Sequence, residues 1–143
     1  MSTRILVATL AAAALAPAAQ AAPATLHLEL PGTRSTYVDL NRKGYSAGDY
    51  FLSTGRVLDR ATRRPAGLLG GVWTILSRKA DHAAFDLGLA KGTIFVSGRI
   101  DHTARSSTLS VTGGTGSYRS SHGTVTFRYL SETTAALDVR LSR

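Results

Sequence analysis

The chain of 143 residues contains no cysteine. That absence removes disulfide frameworks, zinc–cysteine sites, iron–sulfur clusters and thiol nucleophiles together. Proline is sparse at 4 residues and glycine only mildly raised at 14, so the composition is neither collagen-like nor that of a disordered chain. Acids are outnumbered, 9 against 17 Lys and Arg, for a net charge of +8. Beyond Arg4 the cations are scattered from Arg34 to Arg143, with only Arg42-Lys43, Arg63-Arg64 and Arg78-Lys79 adjacent. No basic helix and no basic stripe interleaved with aromatics appears. The charge therefore reads as solubility and weak attraction to anionic polymers, with no specific nucleic-acid partner expected. The length suits one domain and excludes a two-domain enzyme.

An uninterrupted apolar run occurs once, at the start. Met1 to Arg4 is a short positively charged opening, Ile5 to Ala16 is apolar, and Ala19-Gln20-Ala21 has the A-x-A shape that signal peptidase cuts. The run is too short to span a bilayer. Residues 1–21 are expected to be a signal peptide and residues 22–143 the mature domain. With no twin arginine, export would follow the general secretory route. The product would be secreted, extracellular or attached to the cell envelope, with no transmembrane segment after cleavage.

Beyond the leader the hydrophobic period is two. Leu26, Leu28 and Leu30 alternate with His27 and Glu29, and similar patterns recur at 37–40, 49–58, 72–76, 83–89, 93–100, 108–112, 123–130 and 135–141. Turn chemistry separates them: Pro31-Gly32, Lys43-Gly44, Pro65-Ala66-Gly67, Lys91-Gly92 and Gly113-Gly114-Thr115-Gly116. Eight or nine short strands without a helix predict an all-β barrel or sandwich. Short hairpin links between successive strands favour a closed antiparallel barrel of the calycin or lipocalin kind.

Several short motifs fail their structural context. Gly44-Tyr45-Ser46-Ala47-Gly48 fits the nucleophile elbow, but a strand follows it where a hydrolase needs a helix. Gly113-Gly114-Thr115-Gly116 lacks the βαβ setting of a phosphate cradle, so Gly113, Gly114 and Gly116 are read as a structural turn needing positive φ. His27, His82, His102 and His122 lie on separate elements without ligand spacing, and neither a metal nor a cofactor is expected. Asp81-His82 and Asp101-His102 are adjacent pairs, but neighbours on a strand point to opposite faces.

His27 and Glu29 share one face of the first strand. If that face lines a lumen, Glu29 becomes a desolvated carboxylate able to accept or donate a proton, with His27 beside it. Alternatively Leu26, Leu28 and Leu30 fill the core and the polar pair faces water. Trp73 serves as core filler, as a wall for a ligand, or as both.

Taken in order, Tyr37-Val38-Asp39-Leu40, Ser46-Ala47-Gly48-Asp49, Leu58-Asp59, Gly70-Gly71-Val72-Trp73-Thr74, Gly98, Val111-Thr112-Gly113-Gly114-Thr115-Gly116-Ser117-Tyr118 and Gly123-Thr124-Val125 carry a resemblance. From about residue 26 onward the chain resembles the allene oxide cyclase/dirigent barrel superfamily, especially its small secreted members. The resemblance implies an eight-stranded antiparallel barrel open at one end. It also implies a small hydrophobic ligand held in the lumen, and it allows a homo-oligomer. Activity in such a protein would be that of a cyclase or isomerase, or of a coupling guide, working by templating one conformer. Glu29 corresponds to the family's first-strand glutamate, although Pro31 stands where an asparagine is usual. Trp73 replaces a frequent cysteine, and the second such cysteine is missing near Ala83-Ala84-Phe85. Phe51, Ser53 and Gly55 would face the lumen, with Phe51, Ser53 and Trp73 as ligand contacts. The alternative is a non-catalytic, lipocalin-like binding or envelope-associated scaffold barrel.

Overall fold

The computed structural model describes residues 24–40 and 43–142. The proposed leader, residues 1–21, lies outside them. Nine strands follow one another: β1 (Ala24–Leu30), β2 (Thr33–Val38), β3 (Tyr50–Asp59), β4 (Pro65–Ser77), β5 (Ala80–Leu89), β6 (Gly92–Asp101), β7 (Ser107–Gly114), β8 (His122–Tyr129) and β9 (Ala135–Ser142). The one helical element among the described residues is a single 3-10 turn, Gly116–Tyr118. All pairings are antiparallel, and each strand from β2 to β9 pairs with the next.

The sheet closes on itself through β1. This strand pairs along its whole length with β9, from Ala24↔Leu141 to Leu30↔Ala135. Its other edge meets the end of β3 at Leu28↔Asp59 and Glu29↔Leu58. The chain then breaks at Pro31-Gly32, and β2 takes over the rest of the β3 edge, from Thr33↔Gly55 to Val38↔Tyr50. β1 and β2 thus act as two halves of one staggered strand, and the closed barrel is eight-stranded. Proline at the break is consistent with its missing backbone donor.

The alternation read from the sequence sets the faces. Leu28, Leu30, Val57, Leu69, Phe85, Leu87, Ile94, Val96, Leu109, Val125, Leu137 and Val139 are all buried in one core. The packing changes along the barrel axis. Toward one end the inward positions are Leu, Ile and Val. Toward the other, Ser35, Ser53, Gly71, Ala83 and Ala135 stand among the larger inward side chains, and residues of that size leave a barrel of this girth incompletely filled. At Gly71 the lack of a side chain is required, because a Cβ there would strike the backbone and Cβ of Phe85.

Two readings of local chemistry need correction. Pro65-Ala66-Gly67 is the start of β4 and not a turn, and Gly113 and Gly114 are the last residues of β7. Of the three glycines assigned to a turn, Gly116 occupies it, with φ of 56° and the Lys91 carbonyl pressed close to where a Cβ would sit.

The loop between β2 and β3 is anchored by Asp49, which has 0% exposure. Its Oδ1 accepts from the Leu40 amide at 2.9 Å, and its Oδ2 accepts from the Tyr37 hydroxyl at 2.7 Å and from both the amide and hydroxyl of Ser46 at 2.8 Å. These donors, the Leu40 amide foremost, hold the Asp49 carboxyl down at about 2 against an ordinary 3.8. Desolvation, followed by the hydrogen bond to Asp49, pushes the Tyr37 phenol well above its usual range.

Two outcomes follow for stability. Gly116→Val forces a β-branched residue into a left-handed conformation and should cost about 1–3 kcal/mol, read as a lower midpoint in thermal unfolding. Because the Asp49 pKa is depressed on folding, its contribution is fully present above pH 4 and is lost as pH falls through about 2. Asp59, Asp101 and Asp138 are shifted in the same direction. Asp49→Asn should therefore lower the midpoint at pH 7 and flatten its decline between about pH 4 and 2, measured as Tm against pH.

Candidate functional site

The small inward residues leave a cavity of ≈ 370 Å³ at one end of the barrel. Leu30, Phe51, Trp73 and Phe127 form its apolar walls, and the β8–β9 hairpin from Glu132 to Ala135 borders its mouth together with Gly32 and Thr33. The Ser35 and Ser53 hydroxyls bond to each other at 2.7 Å and so present little unsatisfied polarity. The opening lies where the break at Pro31-Gly32 carries β2 away from β9.

Trp73 does two jobs. Its ring lies parallel to that of Phe85, with centroids 5.7 Å apart and 5° between planes, and thereby joins the filled core. It also lines the cavity. Phe51, Ser53 and Trp73 all line the cavity, Phe51 and Ser53 as the resemblance implied.

Glu29 and His27 do not. Inward-facing Leu28 and Leu30 turn both to the outside of β1, so the expectation that Glu29 projects into the lumen beside Phe51, Ser53 and Trp73 is corrected. Nor is Glu29 in open water. At 6% exposure it is covered by the β3–β4 turn, where Arg63 forms an ion pair with its Oε1. Arg63 reaches it from a left-handed backbone, φ 61°. Asp59 builds that turn by accepting from the amide and hydroxyl of Thr62, both at 2.8 Å. Next to it, Asp138 Oδ1 lies 2.6 Å from His27 Nδ1 and accepts from Arg60 Nη2 at 2.6 Å, while the Arg60 amide donates to the His27 carbonyl at 2.9 Å. These exterior contacts clasp β1, β3 and β9 where the barrel closes.

The inward carboxylate is Asp81, which the sequence reading passed over. It occupies the same phase of β5 as Ala83, Phe85 and Leu87, is 9% exposed, and lines the cavity. His102, just beyond β6, reaches across to it, with Nε2 3.0 Å from Asp81 Oδ2. The pair engages Oδ2 alone. Tyr129 completes the group: its ring lies 6.4 Å from that of His102 and edge-on to Phe127, with centroids 5.0 Å apart. Burial first, and the Asp81 charge second, raise the Tyr129 phenol above its ordinary range. Neither adjacent doublet, Asp81-His82 or Asp101-His102, bonds within itself: His82 lies 3.1 Å from Ser97, and His102 bonds to Asp81. The pair that forms takes the first residue of one doublet and the second of the other. A signal was available in the run Asp81, Ala83, Phe85, Leu87, where a carboxylate sits in an otherwise apolar inward series.

A carboxylate and an imidazole in hydrogen-bond contact at the edge of an apolar cavity can accept, hold and return a proton, or orient one polar group of a bound molecule. The surrounding walls can fix the conformation of what is bound.

Residues 32–141 match the model of the allene oxide cyclase barrel-like domain. The chain belongs to that family. No curated protein matches it in sequence. Among solved structures it is similar to a pyocyanin demethylase, with a TM-score of 0.71, 21% identity, and 83% of this chain and 100% of that one covered. It is also similar to a pterocarpan synthase dirigent protein, with a TM-score of 0.74, 14% identity, and 87% and 97% covered. A Diels–Alderase from Streptomyces koyangensis aligns with a TM-score of 0.65 at 22% identity, over 85% of this chain and 63% of that one. At such identities the likeness is one of fold.

If Glu29 belongs to the closing clasp, Glu29→Gln should lower the unfolding midpoint by a few degrees, about 1 kcal/mol. Binding reported by Trp73 fluorescence in the same variant should remain unchanged.

Proposed function

We propose that this protein holds a small, largely apolar molecule in the cavity and acts on it as a cyclase or isomerase, or steers its coupling, with Asp81 as the polar working group. The observation that carries this reading is the inward Asp81, bonded to His102, at the edge of a cavity whose apolar walls are Leu30, Phe51, Trp73 and Phe127. Likeness in fold to a dirigent protein and to a Diels–Alderase supports it. The Ala-rich opening with its A-x-A site supports export of the mature chain.

In this reading the aromatic walls bind by contact and by exclusion of water, while conformational selection supplies the stereochemical outcome. Asp81 Oδ1 faces the ligand's acidic hydrogen or hydroxyl. His102 orients the carboxylate through Oδ2 and can share the proton it receives. Tyr129, held in its protonated form, offers a hydrogen bond to an oxygen of the ligand. No step requires Glu29 or His27 to leave the clasp.

Trp73, the sole tryptophan, makes the test direct. Aromatic and polyunsaturated candidates are screened by quenching of its emission, and turnover of those that bind is followed chromatographically. Asp81→Asn should retain binding and lose turnover or stereocontrol by about 100-fold or more, in keeping with removal of an acid–base group. Binding without any product, in the native chain as in the variant, would instead favour the non-catalytic binding barrel.

A further inference from the structure

The cavity does not end at Asp81. On the far side of that carboxylate an open depression of ≈ 800 Å³ lies between the β2–β3 loop and the β4–β5 turn. Phe51 and Asp81 line both spaces, so the two adjoin across them. Both mix apolar and polar groups, and what the depression adds is a cation, Arg78, beside Ser46, Ser77 and His102.

Arg78 is the one full cation lining either space. It sits in the exposed turn after β4, and none of the ion pairs among the described residues includes it. Two carboxylates near that turn bond to other groups: Asp81 through Oδ2 to His102, and Asp101, opposite Ala80 in the sheet, through Oδ1 to the Thr103 amide and hydroxyl at 2.8 and 2.6 Å. Asp49 is enclosed by its own donors beneath the loop. A guanidinium without a protein partner, at the polar end of a two-part space, is suited to a carboxylate or sulfonate.

Resting on the reading of the cavity as a ligand site, we infer that the ligand is an amphipathic anion, its apolar body between Phe51, Trp73 and Phe127 and its charged end at Arg78. Asp81 strengthens the orientation. Its charge repels an anion from the inner cavity and so keeps the ligand's charged end outward. The same placement brings the middle of the ligand, where body and charged end join, against Asp81 and His102.

Two fluorescent probes with the same ring system separate charge from shape: anilinonaphthalene sulfonate, and the uncharged phenylnaphthylamine. Both should bind the native protein and quench Trp73. Arg78→Gln should weaken the sulfonate probe by about 5–10-fold and leave the neutral probe unchanged. Arg78→Lys should recover part of the loss, and added salt should weaken the sulfonate probe alone. Lys79→Gln, the neighbouring cation that does not line the depression, should change neither. If both probes bind and Arg78→Gln affects them equally or not at all, this inference falls and the ligand cavity stands. If neither probe quenches Trp73, the ligand-site reading falls and the inference with it.

Discussion

Everything distinctive about this barrel depends on how it closes. Two residue pairs, Leu28↔Asp59 and Glu29↔Leu58, join the first strand to the third. A longer seam would run on past Leu30, but Pro31 cannot donate to it, and the chain steps aside into β2. The step has two effects. It leaves the seam short, so side chains outside the barrel must hold it. It also parts β2 from the β8–β9 hairpin, and the cavity mouth lies in that gap. Closure and access thus arise from one interruption of one strand.

Charge is distributed to match. Outside, Glu29 with Arg63 and Asp138 with Arg60 and His27 are paired across the seam, where partial burial makes an unpaired carboxylate costly. Inside, Asp81 is bonded through one oxygen to His102 and lines the cavity. A carboxylate set in an otherwise apolar inward series marks a candidate site.

The strand pattern was legible because an antiparallel barrel is written in local alternation, while the inward positions of Phe51 and Ser53 came from the family resemblance. The same alternation contained the answer for β1. Leu26, Leu28 and Leu30 cannot face the core while Glu29 does so too, and the apolar set prevailed. The glycine run was harder: whether Gly113 and Gly114 extend a strand or form a turn depends on β6, which offers them Phe95 and Ile94 as partners. The Asp81–His102 pair was least accessible. Twenty residues and a cross-strand register separate the two side chains, and period-two reasoning within a single strand says nothing about what its neighbour brings alongside.

The clasp and the cavity occupy opposite faces of the same strands. On β1, Glu29 tends the seam while Leu30, one residue on, forms part of the wall. Because successive side chains never share a face, the inner lining can be redrawn for a different guest without disturbing the outer fastening, and the fastening can be tightened without altering what fits within. Such a scaffold separates the mutations that make it durable from those that make it selective, and the two kinds should combine with little interference.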